Sequence, residues 1–98
     1  MRESELEARL VLGVAKLGGR AYKFVSPGNT GVPDRLIVMP GGRVMFAELK
    51  TDAGRLSPRQ ELQIQRLRQL GADVTVVRGA AGVDRYLEYC EEVLGGEV

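Results

Sequence analysis

The apolar pattern of this chain predicts an α/β (α+β) fold, a mixed sheet of about four strands with helices packed on its faces. Three observations carry that expectation. Helical spacing appears near both ends and again after residue 57, two largely apolar runs flank Pro40-Gly41-Gly42, and a β-branched run, Val74 to Val77, follows the middle helix. The order is α, β, β-hairpin, α, β, α, an αβββαβα arrangement once the strands of the hairpin are taken separately and the short opening strand is included.

Leu6, Leu10, Val14 and Leu17 recur at helical spacing from Glu3 to Leu17, and Gly18-Gly19 stops the pattern. Tyr22 to Val25 reads as a short strand, and Ser26-Pro27-Gly28-Asn29-Thr30-Gly31 as a loop. Leu36 to Met39 and Val44 to Leu49 flank Pro40-Gly41-Gly42 as an antiparallel hairpin. After the polar loop Thr51 to Leu56, Ser57 stands as N-cap, Pro58 at the first helical position and Gln60 at the third, a capping box. Leu62, Ile64, Leu67 and Leu70 continue that helix on an apolar stripe, and Gly71 ends it. Val74 to Val77 has the continuous β-branched character of a strand buried on both faces. It follows a crossover helix, so it is expected to return parallel to the strand from Val44 with a right-handed connection. Gly79 to Gly82 reads as a break, and Val83, Tyr86, Leu87, Cys90 and Leu94 as a last amphipathic helix before Gly95-Gly96.

At 98 residues the chain is expected to form a single domain over 1–98. It contains no histidine, which removes every mechanism built on an imidazole base, acid or metal ligand. Cys90 is the only cysteine, so an intrachain disulfide is impossible and a reducing, cytoplasmic setting fits best. No apolar run is long enough for a bilayer span or a signal peptide, so no membrane partner is expected. The formal charge of +1 hides a polarity: residues 1–8 carry one basic residue against three acidic, residues 79–98 one against five, and residues 9–78 twelve against five. A basic middle between acidic ends points to an anionic partner.

Asp34 opens the first hairpin strand, and Glu48 and Lys50 end the second on one face, with Leu49 turned to the other. If hairpin partners sum to 82, across a three-residue turn centred on Gly41, Asp34 stands opposite Glu48. A two-residue turn at Gly41-Gly42 would instead set Asp34 opposite Leu49. Opposed carboxylates repel unless a cation or proton separates them, and a hard divalent ion such as Mg²⁺ takes such oxygens, to which the Leu49 carbonyl could be added. Lys50 beside them supplies a point charge that orients a water or neutralises a phosphorane oxygen. Asp, Glu-x-Lys and a basic surround together describe metal-assisted phosphodiester hydrolysis.

Gly31-Val32-Pro33-Asp34-Arg35, Ala47-Glu48-Leu49-Lys50 and Ser57-Pro58-Arg59-Gln60, in that order and spacing, resemble the stand-alone VRR-NUC nucleases of the PD-(D/E)XK superfamily, over Glu3 to about Val83. The resemblance implies a restriction-endonuclease-like core, Mg²⁺ or Mn²⁺ as cofactor, and Asp34, Glu48, the Leu49 carbonyl and a first-helix glutamate as metal ligands. For that glutamate Glu7 is favoured, with Glu3 one turn away as the competitor. It also implies Lys50 as catalytic lysine, Gln60 as an active-site glutamine, and a homodimeric endonuclease of branched DNA akin to a Holliday-junction resolvase, including phage-encoded ones acting in the host cytoplasm. The rival reading is a non-catalytic nucleic-acid-binding module of the same fold.

Lys23, Arg35, Arg55 and Arg59 flank the expected site in sequence, and the helix beginning after Ser57 would present free N–H groups to phosphate. No base-reading signature is present, and Phe24, Phe46 and the three tyrosines are assigned to the core, so binding is expected to follow DNA structure. The loop from Ser26 to Gly31 precedes a strand, so no nucleotide cofactor is expected there, and the loop is read as moving against the substrate.

Overall fold

The computed structural model describes residues 1–96. It contains α1 (Glu3–Lys16), β1 (Arg20–Lys23), β2 (Arg35–Met39), β3 (Arg43–Lys50), α2 (Pro58–Gln69), β4 (Val74–Arg78) and α3 (Gly79–Gly96), the order expected from the apolar pattern. The sheet order is β1-β2-β3-β4: β1 and β2 are antiparallel, β2 and β3 form the antiparallel hairpin, and β4 returns parallel to β3. The hairpin partners run from Arg35 with Ala47 to Met39 with Arg43. That is the register centred on Gly41, which carries Asp34 opposite Glu48.

Alternation along the strands separates two faces. Ala21, Ile37, Met39, Met45, Ala47, Leu49 and Val77 face α1 and α3, where they pack with Leu6, Leu10, Val14, Val83, Tyr86, Cys90 and Val93 in one core. Arg9 bridges α1 to Asp84 of α3 at 2.9 Å. At the hairpin end, Arg43 reaches Asp73 at 3.2 Å and the Tyr89 hydroxyl at 3.1 Å, and that hydroxyl also donates to Asp73. Among the described residues α2 is the helix on the opposite face, where Ile64 and Val74 are buried. The hydrophobic core is therefore one-sided, and the second face stays open along much of β1 and β2.

Several boundaries differ from the sequence expectation. β1 begins at Arg20 and ends at Lys23, leaving Val25 exposed in the loop. α3 begins at Gly79, directly after β4, so Gly79 to Gly82 is its first turn and not a break. The Asp52 carboxylate occupies the space where a Cβ on Gly79 would stand, and a carboxylate at a helix start complements the dipole. Leu70 is 84% exposed beyond the end of α2 and takes no part in a core. β4 is an edge strand, with Val74 and Val77 buried but Thr75 and Val76 only half-buried. Among the described residues no helix is long and apolar enough to cross a membrane.

Candidate active site

The chemistry-bearing residues meet at one end of the sheet, between the N-terminal turns of α1 and α2. Asp34 precedes β2, and Phe24 donates its backbone N–H to the Asp34 carbonyl at 2.8 Å, so the strand pairing runs on to this position. Its side chain accepts a hydrogen bond from the Leu49 N–H at 3.0 Å. Glu48, near the end of β3, is only 4% exposed. Its Oε2 accepts from Gln60 Nε2 at 3.2 Å and lies 3.8 Å from Lys50 Nζ, while its buried Oε1 makes no hydrogen bond. An orphaned buried carboxylate oxygen has lost its hydration without replacement, which is costly.

The electrostatics follow. Burial, and then the charge of Asp34, push the Glu48 carboxyl up to about 7, with Lys50 pulling it down. Burial also raises the Asp34 carboxyl, opposed by the Leu49 N–H and by Arg35. Both carboxyls would therefore be relieved by a cation between or beside them.

From the first helix both candidates arrive. Carboxylate oxygens of Glu3, Glu7 and Asp34 lie within 4.8 Å of one another. The sequence favoured Glu7 over Glu3, yet Glu7 is engaged at 3.2 Å by Arg35, whereas Glu3 adds charge repulsion at both Asp34 and Glu48. Arg35, read from sequence as a DNA contact, is correspondingly drawn inward: its side chain is 11% exposed and its Nε is buried without a partner. Lys23, Arg55 and Arg59 are exposed, as a phosphate contact requires.

Gln60 reconciles two roles. Its Oε1 accepts from the Ser57 N–H at 2.9 Å and its N–H donates to Ser57 Oγ at 3.1 Å, completing the capping box, while its amide nitrogen turns to Glu48. One side chain thus fixes the start of α2 and the carboxylate beside it. The loop before β2 is fastened to the same helix. Gly31, at a φ of 92° that disfavours side chains, lies so close to the Arg59 and Gln60 backbone that a Cβ would approach the Arg59 carbonyl carbon to 2.7 Å. Gln63 donates to the Thr30 carbonyl at 3.3 Å. The loop read as moving against substrate is anchored at this end.

Sequence reasoning missed Gln63 and Arg78. Gln63 is buried three residues after Gln60, on the same helix face, which was the available signal. Arg78 is the register partner of Lys50 and donates to the carbonyls of Thr51 and Gly54, bracing the loop between β3 and α2.

The fold and this end of the sheet together correspond to an α/β nuclease domain. Residues 13–81 match the VRR-NUC domain family, and the chain belongs to that family. It is 47% identical over 77 residues, 79% of this chain and 83% of the relative, to "Putative nuclease p44" of Acyrthosiphon pisum secondary endosymbiont phage 1. A solved VRR_NUC domain superposes with a TM-score of 0.82 at 31% identity, covering 88% of this chain and 94% of that one. A second solved structure, a VRR_NUC domain protein, superposes at 0.63 with 19% identity over 90% and 86% of the two chains, and shares the fold.

Proposed function

We propose that the chain is a divalent-metal-dependent, structure-selective DNA endonuclease, a single domain over 1–98 that works as a homodimer on branched DNA in the manner of a Holliday-junction resolvase. The observation that carries this reading is Glu48: buried, one oxygen unpartnered, opposed to Asp34 and bracketed by Lys50 and Gln60. Membership of the VRR-NUC family and the likeness to p44 support nuclease chemistry, and that relative's phage origin fits action in a host cytoplasm.

The oxygen donors fit Mg²⁺ or Mn²⁺. Asp34, Glu48 and a first-helix carboxylate, Glu7 or Glu3, would hold the ion, and the Leu49 carbonyl would join them. A strand residue turns its N–H and C=O toward the same neighbour, and the Leu49 N–H points at Asp34, which supports that assignment. When bound, such an ion lowers the pKa of a water and stabilises charge on the phosphoryl oxygens. The remaining work falls to the chain. Gln60 orients Glu48 through Oε2, and Oε1 stays buried without a hydrogen-bond partner. Lys50, near Glu48 on the same sheet face, holds positive charge beside the scissile phosphate and orients the attacking water. At the start of α2 Pro58 has no N–H and the capping box takes those of Ser57 and Gln60, so phosphate contact there falls to Arg59.

The test is Mg²⁺- or Mn²⁺-dependent cleavage of a mobile four-way junction, a nicked duplex and a plain duplex by wild type beside Lys50→Ala. Wild type is expected to cut the junction fastest, and Lys50→Ala to lose about 10²–10³-fold, the scale of removing one charge-stabilising group. Equal rates on the three DNAs would remove structure selectivity. Binding without cleavage under any divalent ion would leave a non-catalytic module, and a single copy per bound junction would remove the homodimer.

A further inference from the structure

Tyr22 was expected in the core, and the structure puts it outside. Its partner across the β1–β2 ladder is Leu36, whose own partner in β3 is Phe46, so the three side chains share a sheet face. Two residues along β2 and β3 in the direction of the site, that same face carries Asp34 and Glu48. Tyr22 therefore lies roughly 8 Å from Asp34, one strand across and two residues along. α2 covers this face at β4, and Tyr22 stays 48% exposed, with Val44 at 49% on the adjoining row. The guanidinium of Arg20 stands 5.6 Å from the Tyr22 ring centroid. Arg20, two residues before Tyr22, lies on the same sheet face as the ring, whereas Lys23 alternates to the other face.

We propose that Tyr22 with Arg20 forms a stacking platform for an unpaired base next to the scissile phosphate, so that the substrate class is DNA with a single-stranded nucleotide at the cut. The inference rests on the nuclease reading above and deepens it. An exposed aromatic ring with a guanidinium over one face matches the chemistry of an unstacked nucleobase, the ring's other face taking the base and Arg20 its phosphate. A paired base inside a duplex turns its faces to its neighbours and cannot use the ring. Selection for flaps, overhangs and open branch points then comes from an added contact that continuous duplex cannot make.

The test compares two probes in Ca²⁺, a duplex with a single-stranded overhang carrying 2-aminopurine next to the junction and the same sequence fully paired, with wild type, Tyr22→Ala and Tyr22→Phe. Wild type and Tyr22→Phe are expected to quench the 2-aminopurine and to prefer the overhang. Tyr22→Ala is expected to lose the quench and to weaken on the overhang probe by about 5- to 100-fold, bringing the preference close to one. A preference unchanged in Tyr22→Ala, absent quenching by wild type, or a Tyr22→Ala chain whose oligomeric state changes by size exclusion would overturn the platform. Mg²⁺-dependent nicking of plasmid DNA by the same wild-type preparation tests the nuclease reading by itself, because the stacking readout needs no cleavage.

Discussion

At the scale of single residues, Glu48 concentrates the tension of the site. Its ordinary carboxyl value of 4.5 applies in the unfolded chain, and the fold raises it to about 7. Between those values the folded chain keeps a proton that the unfolded chain has released. Stability from this group is therefore complete below pH 4.5 and is lost as pH rises through 7. One unit corresponds to about 1.4 kcal/mol, so the metal-free protein is expected to lose on the order of 2–3 kcal/mol between pH 5 and 8 relative to Glu48→Gln, which has no proton to release. Denaturant unfolding in EDTA at the two pH values measures it. A difference between wild type and Glu48→Gln that does not change with pH would contradict the buried, repelled state of this carboxyl. Added Mg²⁺ is expected to reduce the loss in wild type, since an ion that binds only the folded chain stabilises it.

At the scale of elements, the start of α2 serves two ends through Gln60, and substitution separates them. Ser57→Ala removes the acceptor of the Gln60 N–H and is expected to cost about 1 kcal/mol of stability while leaving Gln60 Nε2 on Glu48. Gln60→Ala removes both side-chain bonds, Oε1 from the Ser57 N–H and Nε2 to Glu48, and keeps the backbone N–H on Ser57 Oγ. Cleavage rates taken well below each variant's thermal midpoint should therefore fall for Gln60→Ala and stay close to wild type for Ser57→Ala. Equal losses would reduce Gln60 to its capping role. The capping box itself was legible because its partners lie within one turn, whereas the sequence left two hairpin registers open and the pairing of Arg35 with Ala47 selects the one that sets Asp34 opposite Glu48. What depended on distant residues was not legible. The Asp52 carboxylate that packs against Gly79 at the start of α3 lies 27 residues away along the chain, and Glu7, which pairs with Arg35, lies 28 residues away. Apolar character placed Tyr22 in a strand correctly and carried Leu70 one residue past the end of α2, but it could not say whether a neighbour covers either side chain. For both, none does.

At the scale of the whole molecule, the near-neutral total divides into ion pairs that fasten the fold and cations left over for DNA. Arg9, Arg35 and Arg43 each bind an acidic partner in the structure, and Lys50 faces Glu48. Lys23, Arg55 and Arg59 are exposed and make no ion pair among the described residues. Affinity for DNA falls with salt in proportion to the phosphates neutralised, by about 0.9 in logarithmic slope per contact on duplex. Arg55→Ala and Arg59→Ala are each expected to reduce the slope by roughly that amount, with a uniform loss across sequences. Arg35→Ala should behave differently, because its guanidinium is already held by Glu7 and its side chain is largely buried. It should leave the slope in place and lower the thermal midpoint, having left Glu7 unpaired beside Asp34 and Glu3. Titrations from low to moderate salt with a fixed junction probe, alongside thermal melts, distinguish the two kinds of arginine. A slope that drops for Arg35→Ala as far as for Arg59→Ala would return Arg35 to the DNA surface and make its pairing with Glu7 a contact that substrate displaces.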